Sequence, residues 1–231
     1  FVDTKTITDV LEGNRMDVTA MNPIQTKDYK GKRARAYSEA KTKAIRVWLD
    51  MMTSHGIIAP SDSKTSSPLH VVEQKGKYRF TCDNAELNKC FERIHGSIPN
   101  LDRIVRWLSA QKLKTSLDLL KAYFQAPAHE SLREAYAFST PFGTFAFTDR
   151  LPMGDLNVPV FFNNKVMEIF GSLKGLESYF DDLLIGTNSA DEHVAVIEQC
   201  LQRAAAKNVK IFFSKVTIGF SEISALGFDI K

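Results

Sequence analysis

No apolar run in this 231-residue chain approaches the roughly 18 residues that a membrane-crossing helix needs. The first residues carry no basic flank before an apolar stretch, so no targeting signal is expected either. Cysteine is scarce: Cys82, Cys90 and Cys200 are odd in number and far apart, which argues for reduced thiols and against a disulfide framework or a zinc site. The histidines, His55, His70, His95, His129 and His193, show no ligand spacing and are assigned no role. Internal repeats and low-complexity tracts are also missing. An apolar content of 44% and a formal charge of +3 rule out disordered and collagen-like classes and allow one large domain or two small subdomains. A start at Phe1 rather than methionine reads as a piece of something longer.

What is present is uneven. Residues 1–121 hold 21 Lys and Arg against 14 Asp and Glu, whereas residues 122–231 hold 9 against 13. A basic first half suits a polyanionic partner and an acidic second half a site that collects cations, although two solvated faces would look the same. Lys27, Lys30, Lys32, Arg33, Arg35, Lys41, Lys43 and Arg46 crowd residues 27–46. A helix is expected from a Ser38 cap to Gly56, with Ala44, Trp48, Met51 and Met52 on one face. Leu69 to Val72 and Tyr78 to Cys82 read as a hairpin with a basic tip at Lys75-Gly76-Lys77. After a helix from Pro99 bearing Leu101, Ile104, Val105 and Leu108, a strand over 114–119 delivers Asp118. Phe138 and Phe145 to Phe147 suggest two strands about Pro141-Phe142-Gly143, and a helix follows over 159–170. The runs 176–180 and 183–185 flank Asp181-Asp182 as a hairpin would. A helix with Val194, Ile197, Leu201 and Ala204 inward, then strands near Ile211 and Leu226, complete the chain. The second half thus reads strand, helix, strand, strand, helix, strand, the split βαβ arrangement of an α+β fold.

Adjacent aspartates between two apolar strands are costly, because aspartate disfavours strands and like charges repel. A polar hairpin tip would accommodate the pair, but Asp118 ends a separate apolar strand. If the strands are neighbours, three carboxylates meet at one rim, a cluster that a hard divalent cation would neutralise.

Tyr179-Phe180-Asp181-Asp182 resembles the Tyr-x-Asp-Asp motif of retroelement reverse transcriptases, and 117–125, Leu-Asp-Leu-Leu-Lys-Ala-Tyr-Phe-Gln, resembles their first catalytic motif. Further blocks follow the family order: Ser67-Pro68-Leu69, Tyr78-Arg79-Phe80 with Leu87-Asn88-Lys89, 137–143, and Ala225-Leu226-Gly227-Phe228. The likeness runs from about residue 37 to the end and is closest to gypsy-type long-terminal-repeat retrotransposons. It implies a right-hand polymerase: an N-terminal extension over 1–36, fingers over 37–112 with a contribution near 126–148, and a ferredoxin-like palm over 113–231. Thumb, connection and ribonuclease H regions have no counterpart in the sequence.

The implied activity is RNA-directed DNA synthesis, adding dNTPs to a primer paired with an RNA or DNA template, in the cytoplasm or a virus-like particle. Asp118, Asp181 and Asp182 would hold two Mg²⁺ ions, with Mn²⁺ as a substitute. Lys215 would protonate the leaving pyrophosphate, Lys75, Lys77 and Arg79 would grip the triphosphate, and Tyr123 would exclude a 2′-hydroxyl. The sequence departs from the family at Met153, which still can pack on a base or sugar, in 155–159, and at Asn84, where an aromatic is usual. An alternative is a captured palm with a structural or RNA-binding role in a larger assembly. A palm-like cyclase or carboxylate nuclease would explain Asp118 and Asp181 but not the fingers blocks.

Overall fold

A computed structural model of the chain describes residues 15–74 and 76–231. In order these form α1 (Glu39–Ser54), β1 (Ile58–Pro60), β2 (Ser67–Gln74), β3 (Lys77–Cys82), α2 (Leu101–Ser109), β4 (Leu113–Asp118), α3 (Ala122–Gln125), β5 (Ala137–Thr140), β6 (Gly143–Phe147), α4 (Val158–Phe170), β7 (Leu176–Tyr179), β8 (Asp182–Thr187), α5 (Ala190–Ala206), β9 (Thr217–Phe220), β10 (Ile223–Ala225) and β11 (Phe228–Ile230). No described helix is long and apolar enough to cross a membrane. The chain divides into two compact units: the first takes Thr19–Ile94 and Tyr123–Pro159, the second Met16–Val18, His95–Ala122 and Val160–Lys231.

Unit one is a five-stranded sheet in the order β1-β6-β5-β2-β3, with β2 parallel to β5 and its other pairings antiparallel. Helix α1 starts at Ser38, whose side chain accepts from the Lys41 N–H, and it buries Ile45, Trp48, Leu49 and Met52. Gly56, with φ +67°, ends the helical run in a backbone conformation that costs glycine little. Trp48 stacks on Phe80 of β3 at 4.9 Å and meets Phe138 of β5 at 5.8 Å, so one indole joins helix and sheet. The expected hairpin is β2-β3, paired from Leu69↔Cys82 to Gln74↔Lys77.

Unit two is a four-stranded antiparallel sheet in the order β7-β8-β4-β9. With α4 between β4 and β7 and α5 between β8 and β9, this is the split βαβ arrangement read from the sequence. Helix α2 is capped by Asn100, whose side chain accepts from the Arg103 N–H, and it buries Ile104 and Leu108. These close a cluster with Leu184, Ile223, Ala225 and Ile230, the sheet-facing stripe expected of this helix.

Two expectations fail locally. The buried face of α5 is His193, Val196, Cys200 and Ala204, rotated by about one residue from the expected stripe, and Val194 is 55% exposed. Ile211 makes only an isolated bridge to Leu119, and the strand that joins the sheet is β9, starting at Thr217. In both places polar side chains satisfied inside the fold, or an irregular backbone, override hydrophobic periodicity.

Candidate active site

In unit two, β4 and β8 pair from Leu113↔Thr187 to Asp118↔Asp182. Two carboxylates therefore face each other across neighbouring central strands at one end of the sheet. The β7-β8 connection is tight: Tyr179 and Asp182 are still paired, so Phe180 and Asp181 alone make the turn. Phe180 adopts φ +53°, a left-handed conformation that is strained for a bulky residue and typical of functional turns. Its ring meets Tyr179 edge-on at 5.0 Å. The Asp181 carbonyl accepts from the Leu119 N–H at 2.8 Å, and the Asp118 carbonyl accepts from the Phe212 N–H at 2.8 Å. Backbone bonds thus tie the turn, the end of β4 and the 212–215 segment together.

Lys215 completes the cluster by donating its Nζ to Asp118 Oδ2 at 2.9 Å. Burial, and then the charges of Asp181 and Asp118, push the Asp182 carboxyl up to about 6, with Lys215 opposing. Carboxylates crowded in this way carry a repulsion that a hard cation relieves. Among the described residues no three His, Cys, Asp or Glu side chains form a ready-made metal cage. Magnesium does not require one, since it is commonly held by one or two carboxylates plus water and substrate phosphate. The donor set fits such an ion.

The remaining sequence-predicted residues lie in unit one. Lys77 and Arg79 are exposed on β3, and Arg79 donates to Gln74 Oε1 at 2.8 Å. Lys75 is outside the described residues. The half-buried Met153 accepts, through its carbonyl, from the Cys82 N–H at the end of β3 at 3.1 Å. Tyr123 is half-buried in α3, its carbonyl accepting from the Ala126 N–H.

Several structural contacts of the site were not read from the sequence. The Asn88 side chain donates to the Gly154 carbonyl at 3.2 Å and accepts from the Leu156 N–H at 3.0 Å, which pins the 151–154 block to the 87–89 block. Gly154 has φ +111°, and a Cβ there would lie 2.2 Å from the Cys82 carbonyl oxygen, so only glycine fits. Asp83 pairs with Arg35 and Lys32, and the Arg35 hydrogen bond is the largest cause holding its carboxyl below the usual range. Asn84 is 2% exposed, so its departure from the family's aromatic changes packing and not an open stacking surface. His193 is buried between Thr115 and Thr187. Motif order brings out Asn88 within the Leu87-Asn88-Lys89 block; nothing in the local sequence flags these interactions, because most of the partners are distant.

A profile of the reverse transcriptase (RNA-dependent DNA polymerase) family matches residues 63–230. The chain belongs to the reverse transcriptase family. Reverse transcriptases use divalent metal ions, in keeping with the carboxylate cluster. The retrovirus-related Pol polyprotein from transposon 297 of Drosophila melanogaster is 30% identical over 222 residues, 92% of this chain and 20% of that polyprotein. The Pro-Pol polyprotein of simian foamy virus type 1 is 27% identical over 81% of this chain and 16% of its own length. The chain therefore spans about a fifth or less of these relatives, which are larger polyproteins. Its fold matches a foamy viral protease-reverse transcriptase solved with double-stranded DNA, with a TM-score of 0.88 and 22% identity over 99% of this chain and 42% of that one. The same viral enzyme with an RNA/DNA hybrid matches with a TM-score of 0.87 and 21% identity over 96% of this chain and 30% of that one.

Proposed function

We propose that this chain supplies the fingers and palm of an RNA-directed DNA polymerase that adds dNTPs to a primer 3′-hydroxyl on an RNA or DNA template. Unit two would serve as the palm and unit one, with β5 and β6 inside 126–148, as the fingers. The carrying observation is the Asp118↔Asp182 cross-strand pair beside the Phe180-Asp181 turn, with Lys215 on Asp118. Two Mg²⁺ ions, or Mn²⁺ in their place, held by Asp118 and Asp181 with Asp182 completing or orienting the site, would supply activation of the primer hydroxyl and charge stabilisation at the leaving pyrophosphate.

The protein's own groups do the rest. The Lys215 ammonium, already at the cluster, is an acid for the departing pyrophosphate. Lys77 and Arg79, with Lys75, offer cations to the triphosphate, the guanidinium being suited to bidentate contact. The Tyr123 ring excludes a 2′-hydroxyl, and Met153 packs on the base or sugar. In this reading the protein works beside thumb, connection and ribonuclease H regions of a longer polyprotein, in the cytoplasm or inside a virus-like particle.

Primer extension on an RNA template with Mg²⁺ and dNTPs, using the full-length protein, tests this. Asp181→Asn should lower extension by on the order of 10³-fold, the worth of several kcal/mol of charge stabilisation. Equal silence from native and variant forms would instead favour a captured palm with a structural or RNA-binding role.

A further inference from the structure

The sheet face opposite the one that bears Asp118 and Asp182 carries a buried polar relay. His193 of α5 is 3% exposed, Thr115 of β4 0% and Thr187 of β8 1%. The imidazole touches both hydroxyls: Nε2 lies 2.7 Å from Thr115 Oγ1 and Nδ1 2.8 Å from Thr187 Oγ1. The directions follow from the outer partners. Thr187 donates its hydroxyl to the Ser189 carbonyl at 3.2 Å, so it accepts from Nδ1–H. Thr115 accepts from the Gly219 N–H of β9 at 3.0 Å and has one proton left, which it gives to Nε2. Every hydrogen-bonding atom of a neutral ring is thereby satisfied, and burial lowers the proton affinity of the ring, in agreement with that neutral form.

We propose that His193 is a positioning residue: by bonding β4 and β8 at once it fixes the register in which Asp118 and Asp182 face each other. This rests on the polymerase reading given above. In the observed register Thr115 opposes Ile185 and Leu113 opposes Thr187, so the two threonines are diagonal neighbours on one face. A one-residue slip would turn one strand's side chains to the wrong face, which burial already forbids. A two-residue slip keeps apolar residues inward, and Leu117, Leu183 and Ile185 discriminate against it weakly. In the direction that pairs Thr115 with Leu183, that slip carries Thr187 a further roughly 7 Å from Thr115, beyond the reach of one imidazole, and leaves buried polar atoms unpaired. Against the slip that parts the two threonines, the histidine therefore supplies the register discrimination that the leucines lack. Asp118 is three residues along the same strand from Thr115, and Asp182 five from Thr187, so an error at the relay is delivered to the carboxylates.

The test uses the full-length protein. Histidine ¹⁵N NMR should show one buried ring in the Nδ1–H tautomer at neutral pH; an Nε2–H tautomer for His193 overturns the relay. Thr115→Val and Thr187→Val, which keep shape and lose the hydroxyls, should each lower kcat for single-nucleotide addition by about 10- to 100-fold, the scale of a sub-ångström to ångström misplacement, with KM for primer-template unchanged. His193→Phe added to the double valine variant should cost nothing further, because the three side chains act as one unit. Should His193→Phe fail to fold, the valine variants and the tautomer still decide. A double valine variant with native kcat overturns the proposal while Asp181→Asn stays silent in the same assay. Extension by Asp181→Asn at the native rate overturns the polymerase reading and the inference with it.

Discussion

The Asp155 carboxylate is buried and accepts from the Asn157 and Val158 N–H groups and from the Tyr136 hydroxyl at 2.9 Å, capping the entry to α4. Its proton affinity is raised, with burial the largest cause and these hydrogen bonds opposing it. Asp182 is raised by burial as well, but neighbouring carboxylates add to the effect. The same residue type is thus governed by local hydrogen bonds in one place and by crowded charge in the other. A carboxyl raised in the folded state binds its proton more tightly there than in the unfolded chain. Its stabilising contribution is complete below the unfolded value, about pH 4, and is lost as pH rises through the folded value. Asp155→Asn keeps an acceptor for the two N–H groups and removes the titration. Urea midpoints measured across this acidic range should show the native protein losing stability relative to Asp155→Asn as pH rises, with a constant difference above it; a difference independent of pH throughout would refute the assignment. Asp118, Asp181 and Asp182 were legible in the sequence because charge interrupts apolar strands there. The bridging role of His193 was not, since Thr115 lies 78 residues away along the chain.

At the scale of elements, α1 depends on a single large side chain. Trp48 is 2% exposed, and Val47 beside it is 50% exposed. Trp48→Ala removes the stack on Phe80 and the packing against Phe138 and should cost about 3–5 kcal/mol, read as a lower denaturation midpoint, whereas Val47→Ala should change little. Equal effects from the two would mean that α1 does not anchor through the indole. Capping at Ser38, the β2-β3 hairpin and the β7-β8 hairpin were readable because each is fixed by residues adjacent in sequence. Strand β1 was not foreseen: three residues are too few to show a period, and its pairing with β6 is contributed by residues almost ninety positions on. The rotation of α5 has the same origin, for a histidine satisfied by two strands occupies a place that hydropathy reserves for valine.

The whole molecule carries its charge asymmetrically, with Lys27, Lys30 and Arg33 all exposed in the basic half. If they bind a nucleic-acid backbone, changing all three to glutamine should weaken primer-template binding to a similar degree for every sequence. It should also flatten the dependence of affinity on salt, by about one unit of log–log slope for each phosphate no longer neutralised. Fluorescence anisotropy between about 50 and 200 mM salt measures this; an unchanged slope would remove these side chains from the interface.

The two compact units are also interleaved along the polypeptide, since His95–Ala122 of the second interrupts the first, which resumes at Tyr123. Strand β2 consequently waits for β5 until the intervening strand β4 has been made. During synthesis the first unit cannot be completed until part of the second has been made, and a single cut within 95–158 leaves neither unit whole. Duplication, exchange or loss by recombination must therefore carry both halves together, which makes the pair one indivisible unit of inheritance.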